Sequence, residues 1–212
     1  MNFKAIATFT LIILLCTQSA LASTEKAQDI ASRFTNYSTN YTINEDGSFA
    51  ENTTWSIKLL KKQAVLEAKQ ASISYSTSIQ KAEVLEAYTL KANGKHVNSP
   101  KDNFQITASG GKDKSKAIFS DRTTLTVVFP DVEIGDTVVF HYRLTATEPI
   151  FPQHFSESGS FYKNYAYDNI TISLNAPESL KLNYEIRDFK EVKNAIKDKR
   201  HEIVWTWQNK EP

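Results

Sequence analysis

Four histidines, His96, His141, His154 and His201, are the side chains best suited to acid–base or metal chemistry near neutral pH. No two of them fall within a helical turn of each other, so the chain holds no H-x-H or H-E-x-x-H ligand pair. His141 sits between Phe140 and Tyr142 on an alternating segment, which puts it on the opposite, solvated face. Serine chemistry finds no frame either. There is no G-x-S-x-G, and the two S-x-x-K matches, Ser78 with Lys81 and Ser109 with Lys112, open no helix pattern and lack an S-D-N or K-T-G partner. Residues 109–116 (SGGKDKSK) depart from the G-x-x-x-x-G-K-[ST] phosphate loop, and their alternating charges fit a solvated hairpin loop. In Asn44-Glu45-Asp46-Gly47 a calcium loop would need a carboxylate where Thr42 stands and a closing Glu that is missing, so the segment reads as a turn. Four N-x-[ST] triplets, at Asn36, Asn40, Asn52 and Asn169, would be glycan acceptors only in a eukaryotic secretory route, and a chain rich in Asn, Ser and Thr produces such triplets by chance.

One segment offers binding rather than bond-making. Residues 151–167 carry Phe151, Phe155, Phe161, Tyr162, Tyr165 and Tyr167 among Pro and Gly. Such rings on loops at the end of a β-sandwich stack on sugars or grip a peptide when they face outward, and plug the end of the core when they face inward. The sequence leaves both readings open. No residue pattern asks for a metal or another cofactor, and the expectation is a protein that is not an enzyme.

The elements that must carry these residues belong to an exported chain. Lys4 precedes the uncharged run 5–15 (AIATFTLIILL), and Ala20-Leu21-Ala22 is an A-x-A cleavage site. Eleven residues fall short of the ~20 that a spanning helix needs, so residues 1–22 read as a signal peptide rather than an anchor. A lipoprotein reading through Cys16 is disfavoured by bulky Leu15. Cleavage removes Lys4, Met1 and the single Cys, leaving no thiol for nucleophilic, metal or redox chemistry and no disulfide to brace the fold. The expected location is the periplasm or the extracellular space. With 25 basic and 24 acidic residues in the whole chain, neither nucleic acid nor an anionic membrane is indicated as partner.

Residues 24–34 place Ala27, Ile30, Ala31 and Phe34 at helical spacing. The period then changes to two. Tyr37, Thr39, Tyr41 and Ile43, then Phe49, Thr53, Trp55 and Ile57 beyond the Asn44–Gly47 turn, predict a hairpin. Residues 59–71, with Leu60, Ala64, Ala68 and Ala71 on one face, predict the one inserted helix. Alternation resumes at Val84, Tyr88 and Leu90, ends at the Asn93-Gly94 turn, and returns at Phe104–Ile106, Leu125–Phe129, Val138–Leu144, Ile170–Leu174, Leu182–Ile186 and Ile203–Trp207. About ten short strands without a βαβ rhythm predict one all-β sandwich over residues 23–212, with a short N-terminal helix and one short inserted helix.

The run Phe119-Ser120-Asp121-Arg122, then Leu125 through Val138 (LTVVFPDVEIGDTV) and Tyr142, resembles the bacterial domain of unknown function DUF3857, which is found N-terminal to transglutaminase-like domains. Residues 41–47 (YTINEDG), Ala92-Asn93-Gly94, the stretch 155–161, Asn175-Ala176-Pro177 and Trp205-x-Trp207-x-Asn209 support the likeness. The resemblance implies an immunoglobulin-like antiparallel β-sandwich in an exported protein. It implies a non-catalytic accessory role before a papain-like Cys-His-Asp domain, and it supplies no catalytic residues. The sequence stops at Pro212 where a linker would begin, so a module without its transglutaminase-like domain is expected. The implied partner is another exported protein or a separate transglutaminase-like domain. The alternative is a stand-alone carbohydrate- or peptide-binding sandwich; the oligomeric state is left open.

Overall fold

The computed structural model describes residues 30–108 and 121–212. The expected signal peptide at residues 1–22, most of the expected N-terminal helix, the loop 109–116 and Phe119-Ser120 lie outside the described residues. The chain runs β1 (Ser32–Ile43), β2 (Phe49–Leu59), α1 (Lys62–Glu67), β3 (Gln70–Ser76), β4 (Gln80–Leu90), β5 (His96–Asn98), a 3₁₀ turn (Lys101–Asn103), β6 (Phe104–Ala108), β7 (Arg122–Val128), β8 (Thr137–Ala146), β9 (Ala166–Pro177), β10 (Lys190–Lys197) and β11 (Arg200–Asn209).

These strands form the expected all-β sandwich of two sheets. One has eight strands in the order β10-β11-β9-β1-β2-β8-β4-β5, the other three in the order β3-β7-β6. The first departure from expectation is the β1–β9 pair, which is parallel within an otherwise antiparallel architecture. The second lies in the helices. Ser32, Arg33 and Phe34 are strand, because β1 extends back to them: all three pair with β2, and Arg33 and Phe34 also with β9. The inserted helix shrinks to the six residues of α1, since Leu59 ends β2 and Ala71 already pairs with Val127 in the second sheet. Ladder hydrogen bonds and core burial outweigh the weak helix propensity of this short stretch.

Period-two alternation explains which face is covered. Cross-strand register aligns Thr89, Val138 and Ile57, then Ala87, Phe140, Trp55 and Tyr37, then Tyr142, Thr53, Thr39 and Ile172 on one face of the large sheet. The three-stranded sheet covers the β2-β8-β4 part of that face. Between them lies a core of Leu59, Ala64, Ala71, Ile73, Ala87, Leu125, Val127, Phe129, Val138 and Phe140, with Trp55 packed edge-on to Phe129. The opposite face carries Ser38, Asn40, Asn52, Thr54, His141, Arg143 and Ser173, a solvated surface laced by Asn40–Ser173 and Arg143–Asn52 hydrogen bonds.

The signature residues of the sequence are clips. Asp136, 1% exposed, accepts from the backbone N–H of Ala92 and Glu133 and pairs with Lys91 at 2.7 Å. Lys91 also donates to Glu133 and to the Asp131 carbonyl. Leu59 N–H donates to the Asp136 carbonyl, so this knot ties the ends of β2, β4 and β8. Asp121 accepts from the hydroxyls of Ser76 and Ser78 and closes the β3–β4 turn. Ser78 is thereby used as a turn residue, not as the nucleophile of an S-x-x-K motif.

Candidate functional site

Among the described residues, no second sheet lies above the β9-β1 half of the covered face or above β11. Its roof is two irregular segments, residues 147–165 and 178–189. The first is anchored on the β1–β2 turn. Gln153 N–H donates to the Asp46 carbonyl, and a Cβ on Gly47 (φ +90°) would meet the His154 backbone at 2.7 Å. Only glycine allows both that conformation and that approach. The second segment contains Leu182, Tyr184 and Ile186, which alternation marked as a strand. They form no ladder and line the cleft over the sheet instead.

Between roof and sheet is a cleft of about 1220 Å³. Its floor is Tyr37, Thr39 and Tyr41 of β1, Ile172 and Leu174 of β9, and Trp205 and Trp207 of β11. Its roof includes Phe155, Glu157 and Phe161 from the first segment and Leu182, Ile186 and Phe189 from the second. Phe161 meets Tyr37 edge-on at 5.0 Å and lies 5.9 Å from Phe189 and 6.4 Å from Trp207. Phe155 packs against Tyr41 and Phe49.

The six aromatic candidates therefore separate. Phe155 and Phe161 line the cleft. Tyr167 is buried, stacked on Phe34 at 4.9 Å. Phe151 and Tyr162 are exposed at 65% and 66% outside the cleft, and Tyr165 is exposed beside Tyr162 with its ring edge-on to Phe34. The inward and outward readings of this segment each describe part of it.

Polar groups enter where the floor continues onto β2 and β8. Glu51, the cross-strand partner of Tyr41, accepts from the Tyr142 hydroxyl at 2.8 Å and from Thr53 Oγ1 at 2.7 Å, and Thr53 meets Thr39 at 2.6 Å. Burial and then the field of Glu51 push the Tyr37 hydroxyl up to about 12. The same two causes, in the same order, push Tyr41 and Tyr142 higher still. Glu157 is raised above the ordinary carboxylate range, first by the desolvating roof around it and also by Glu51, against a hydrogen bond from the Ser158 N–H. Trp205 is 4% exposed and its indole Nε1 has no hydrogen-bond partner.

Alternation from Tyr37 to Ile43 marks a covered strand but not a cleft. The signal that could have found the site is Glu51, a carboxylate at an inward position between Phe49 and Thr53. His154 also lines the cleft, yet its side chain makes no hydrogen bond to a hydroxyl or carboxylate; His201 pairs with Asn194, and His96 packs against Tyr88. Among the described residues no three His, Asp or Glu side chains are grouped to hold a metal ion, and no helix is long and apolar enough to cross a membrane.

No curated protein matches the chain. Among solved structures, the crystal structure of "a putative protease" from Parabacteroides distasonis ATCC 8503 superposes with a TM-score of 0.74 at 20% identity, over 84% of this chain and 35% of that one. An M1 zinc metallopeptidase E323A mutant from Deinococcus radiodurans gives 0.39 at 10% identity, over 83% of this chain and 39% of that one. The CBM3a-L domain of the Clostridium thermocellum scaffoldin cipA gives 0.32 at 13% identity, over 62% and 79%. The first likeness supports the fold; the other two are too remote to add to it. The chain spans little more than a third of the length of the first two. A family model, the Domain of Unknown Function DUF3857, matches residues 45–212, and the chain belongs to that family.

Proposed function

We propose that this chain is an exported, non-catalytic binding module, an accessory domain of proteins that carry transglutaminase-like or other hydrolytic domains, and that its roofed aromatic cleft holds the ligand. One observation carries the reading: a cleft of about 1220 Å³ walled by Tyr37, Tyr41, Phe155, Phe161 and Trp207 on the floor and roof of a rigid sheet. Aromatic walls with a few convergent polar groups are how ligand sites are built. The absence of any hydroxyl–imidazole pair among the described residues supports a role in binding rather than bond cleavage. In the Parabacteroides structure the matching part is 35% of the chain, so its description as a protease belongs, in this reading, to the remainder.

The test is a peptide and oligosaccharide array probed with the full chain, with the Trp207→Leu and Tyr37→Ala variants, and with Tyr162→Ala as an exterior control. The expected result is binding that the two cleft variants abolish and the control retains. An array without signal, or hydrolysis of a substrate that is lost on one Ser, Asp or Glu substitution, would overturn the proposal. Fractionation of cells expressing the full chain tests export; retention of the uncleaved chain in the cytoplasm would remove that part.

A further inference from the structure

The large sheet ends on β10, and among the described residues no strand pairs with its outer side. All eight of its residues are exposed, the apolar Val192 and Ile196 among them. An edge of that length leaves a row of backbone donors and acceptors open, which is the template on which a further strand adds. The opposite edge, β5, has only three residues, and the His96 ring there packs against Tyr88. Register sorts the side chains of β10 by face. Lys190, Lys193 and Lys197 stand opposite Thr206, Val204 and Arg200 on the solvated face, whereas Asn194 and Ile196 stand opposite Ile203 and His201 on the other.

The charges along this edge select what can add to it. Glu191, the one acid on β10, already accepts from Asn194 and Tyr184, which hold its carboxyl below the ordinary range. Glu202 pairs with Lys193, and that bond first, then the fields of Lys193, Lys197 and Arg200, hold it low as well. Lys190 and Lys197 have no ion pair among the described residues, and Lys199 follows in the β10–β11 turn beside Asp198. Residues 190–202 therefore hold five Lys and Arg against three Asp and Glu, with three of the lysines aligned on one face of the open strand. A second copy of the chain fits poorly here. Two β10 edges paired antiparallel over their full length would set Lys190 opposite Lys197 of the other copy at both ends, and like charges directly opposite are destabilising. The same lysines favour a strand that brings carboxylates.

We propose that β10 is a docking edge for an extended acidic segment of a partner protein, which extends the eight-stranded sheet with its carboxylates on the solvated face and apolar side chains beside Ile196. The inference does not depend on the cleft being a binding site. The experiment titrates the full chain, by calorimetry, with capped octapeptides that alternate Glu and Val or Lys and Val, and with the Glu peptide N-methylated at every second residue. The Glu peptide is expected to bind about tenfold or more tightly than the Lys peptide, and to slow amide exchange in β10 but not in β5. N-methylation is expected to abolish binding, because it removes the ladder donors. The double variant Lys190→Glu/Lys197→Glu, which changes two exposed side chains without an ion pair and so leaves folding intact, is expected to reverse the preference. Trp207→Leu is expected to retain it. Equal affinity for the two charged peptides, undiminished binding after N-methylation, or an unchanged preference in the double variant would overturn the proposal. Loss of binding in Trp207→Leu would place the peptide in the cleft and overturn it too, as would the absence of binding by any of the peptides.

Discussion

Glu51 shows how one residue sets the character of its surroundings. Placed at an inward position of β2, half-buried, it accepts from Tyr142 and Thr53, and its field adds to the burial that is the larger cause of the raised hydroxyls around it. The consequence is a stability that fails in alkali. Unfolded tyrosine ionises near pH 10 and folded Tyr37 only near 12, so the unfolded state releases its proton first as pH rises. Stability from this group is complete below pH 10 and is lost as pH climbs through the folded value. Each such tyrosine costs about 1.4 kcal/mol per pH unit in that window. Tyr41 and Tyr142 shift the same way, so urea midpoints should fall steeply above pH 10, and Tyr37→Phe should flatten the slope by one group's share. An unchanged slope in Tyr37→Phe would show that its hydroxyl is solvated. Asp136 behaves oppositely. Burial raises it, but the hydrogen bonds from Lys91, Glu133 N–H and Ala92 N–H outweigh burial and hold it below the ordinary value of 3.8. Its contribution is therefore complete above pH 3.8 and is lost as pH falls through the lower folded value. Asp136→Ala orphans two backbone donors and should cost about 3 kcal/mol, read by denaturant unfolding at pH 7.

At the scale of elements, turns decide where the roof sits. Gly47 and Gly94 both have positive φ, +90° and +85°, but a Cβ on Gly94 meets nothing within 4 Å, whereas on Gly47 it strikes the His154 backbone. Gly94→Ala should thus cost only the backbone term, about 1–2 kcal/mol, and Gly47→Ala that plus displacement of residues 153–155. Equal thermal shifts for the two variants would show that the roof is not seated on the turn. These turns were legible in the sequence because Asn-Gly and Asp-Gly have few other uses, and β2, β7, β8 and β11 were legible because their alternation is strict. Three strands escaped. Gln70–Ser76 was hidden behind alanines at helical spacing, His96–Asn98 is too short to show a period, and Lys190–Lys197 is an exposed edge whose lysines keep it from looking like a strand. Leu182–Ile186 erred the other way: its alternation reflects one side lying on the cleft, not a ladder. The site was legible only as aromatics near residues 151–167. The other rings, on β1 and β11, come from positions far apart in sequence, and only the parallel β1–β9 pairing joins them.

For the molecule as a whole, one sheet supports two dissimilar halves. Under β3-β7-β6 the covered face is a continuous apolar core with Phe140 1% exposed at its centre. Under the roof it is a cleft, and the roof is tied down by a handful of bonds. These are Gln153 N–H to Asp46, Glu178 N–H to Lys199, Asn209 Nδ2 to the Lys163 and Tyr165 carbonyls, a Ser179–Glu45 hydrogen bond, and the exposed Lys163–Asp188 pair that joins its two segments. Regions with few buried contacts and exposed hydrogen bonds open at low free energy without global unfolding. A binding cleft needs such a roof so that a ligand can enter, and the packed half keeps the floor fixed while it does. The two halves should therefore respond differently to truncation. Phe140→Ala should cost about 3–5 kcal/mol of global stability and speed amide exchange in β2 and β8 alike. Phe161→Ala should cost well under half of that, yet speed exchange throughout residues 153–163 and 179–189 while β8 stays protected. Native-state hydrogen exchange on both variants distinguishes the cases. If Phe161→Ala lowered global stability as far as Phe140→Ala and exposed β8 equally, roof and floor would be one cooperative core, with no separately opening lid over the tyrosines.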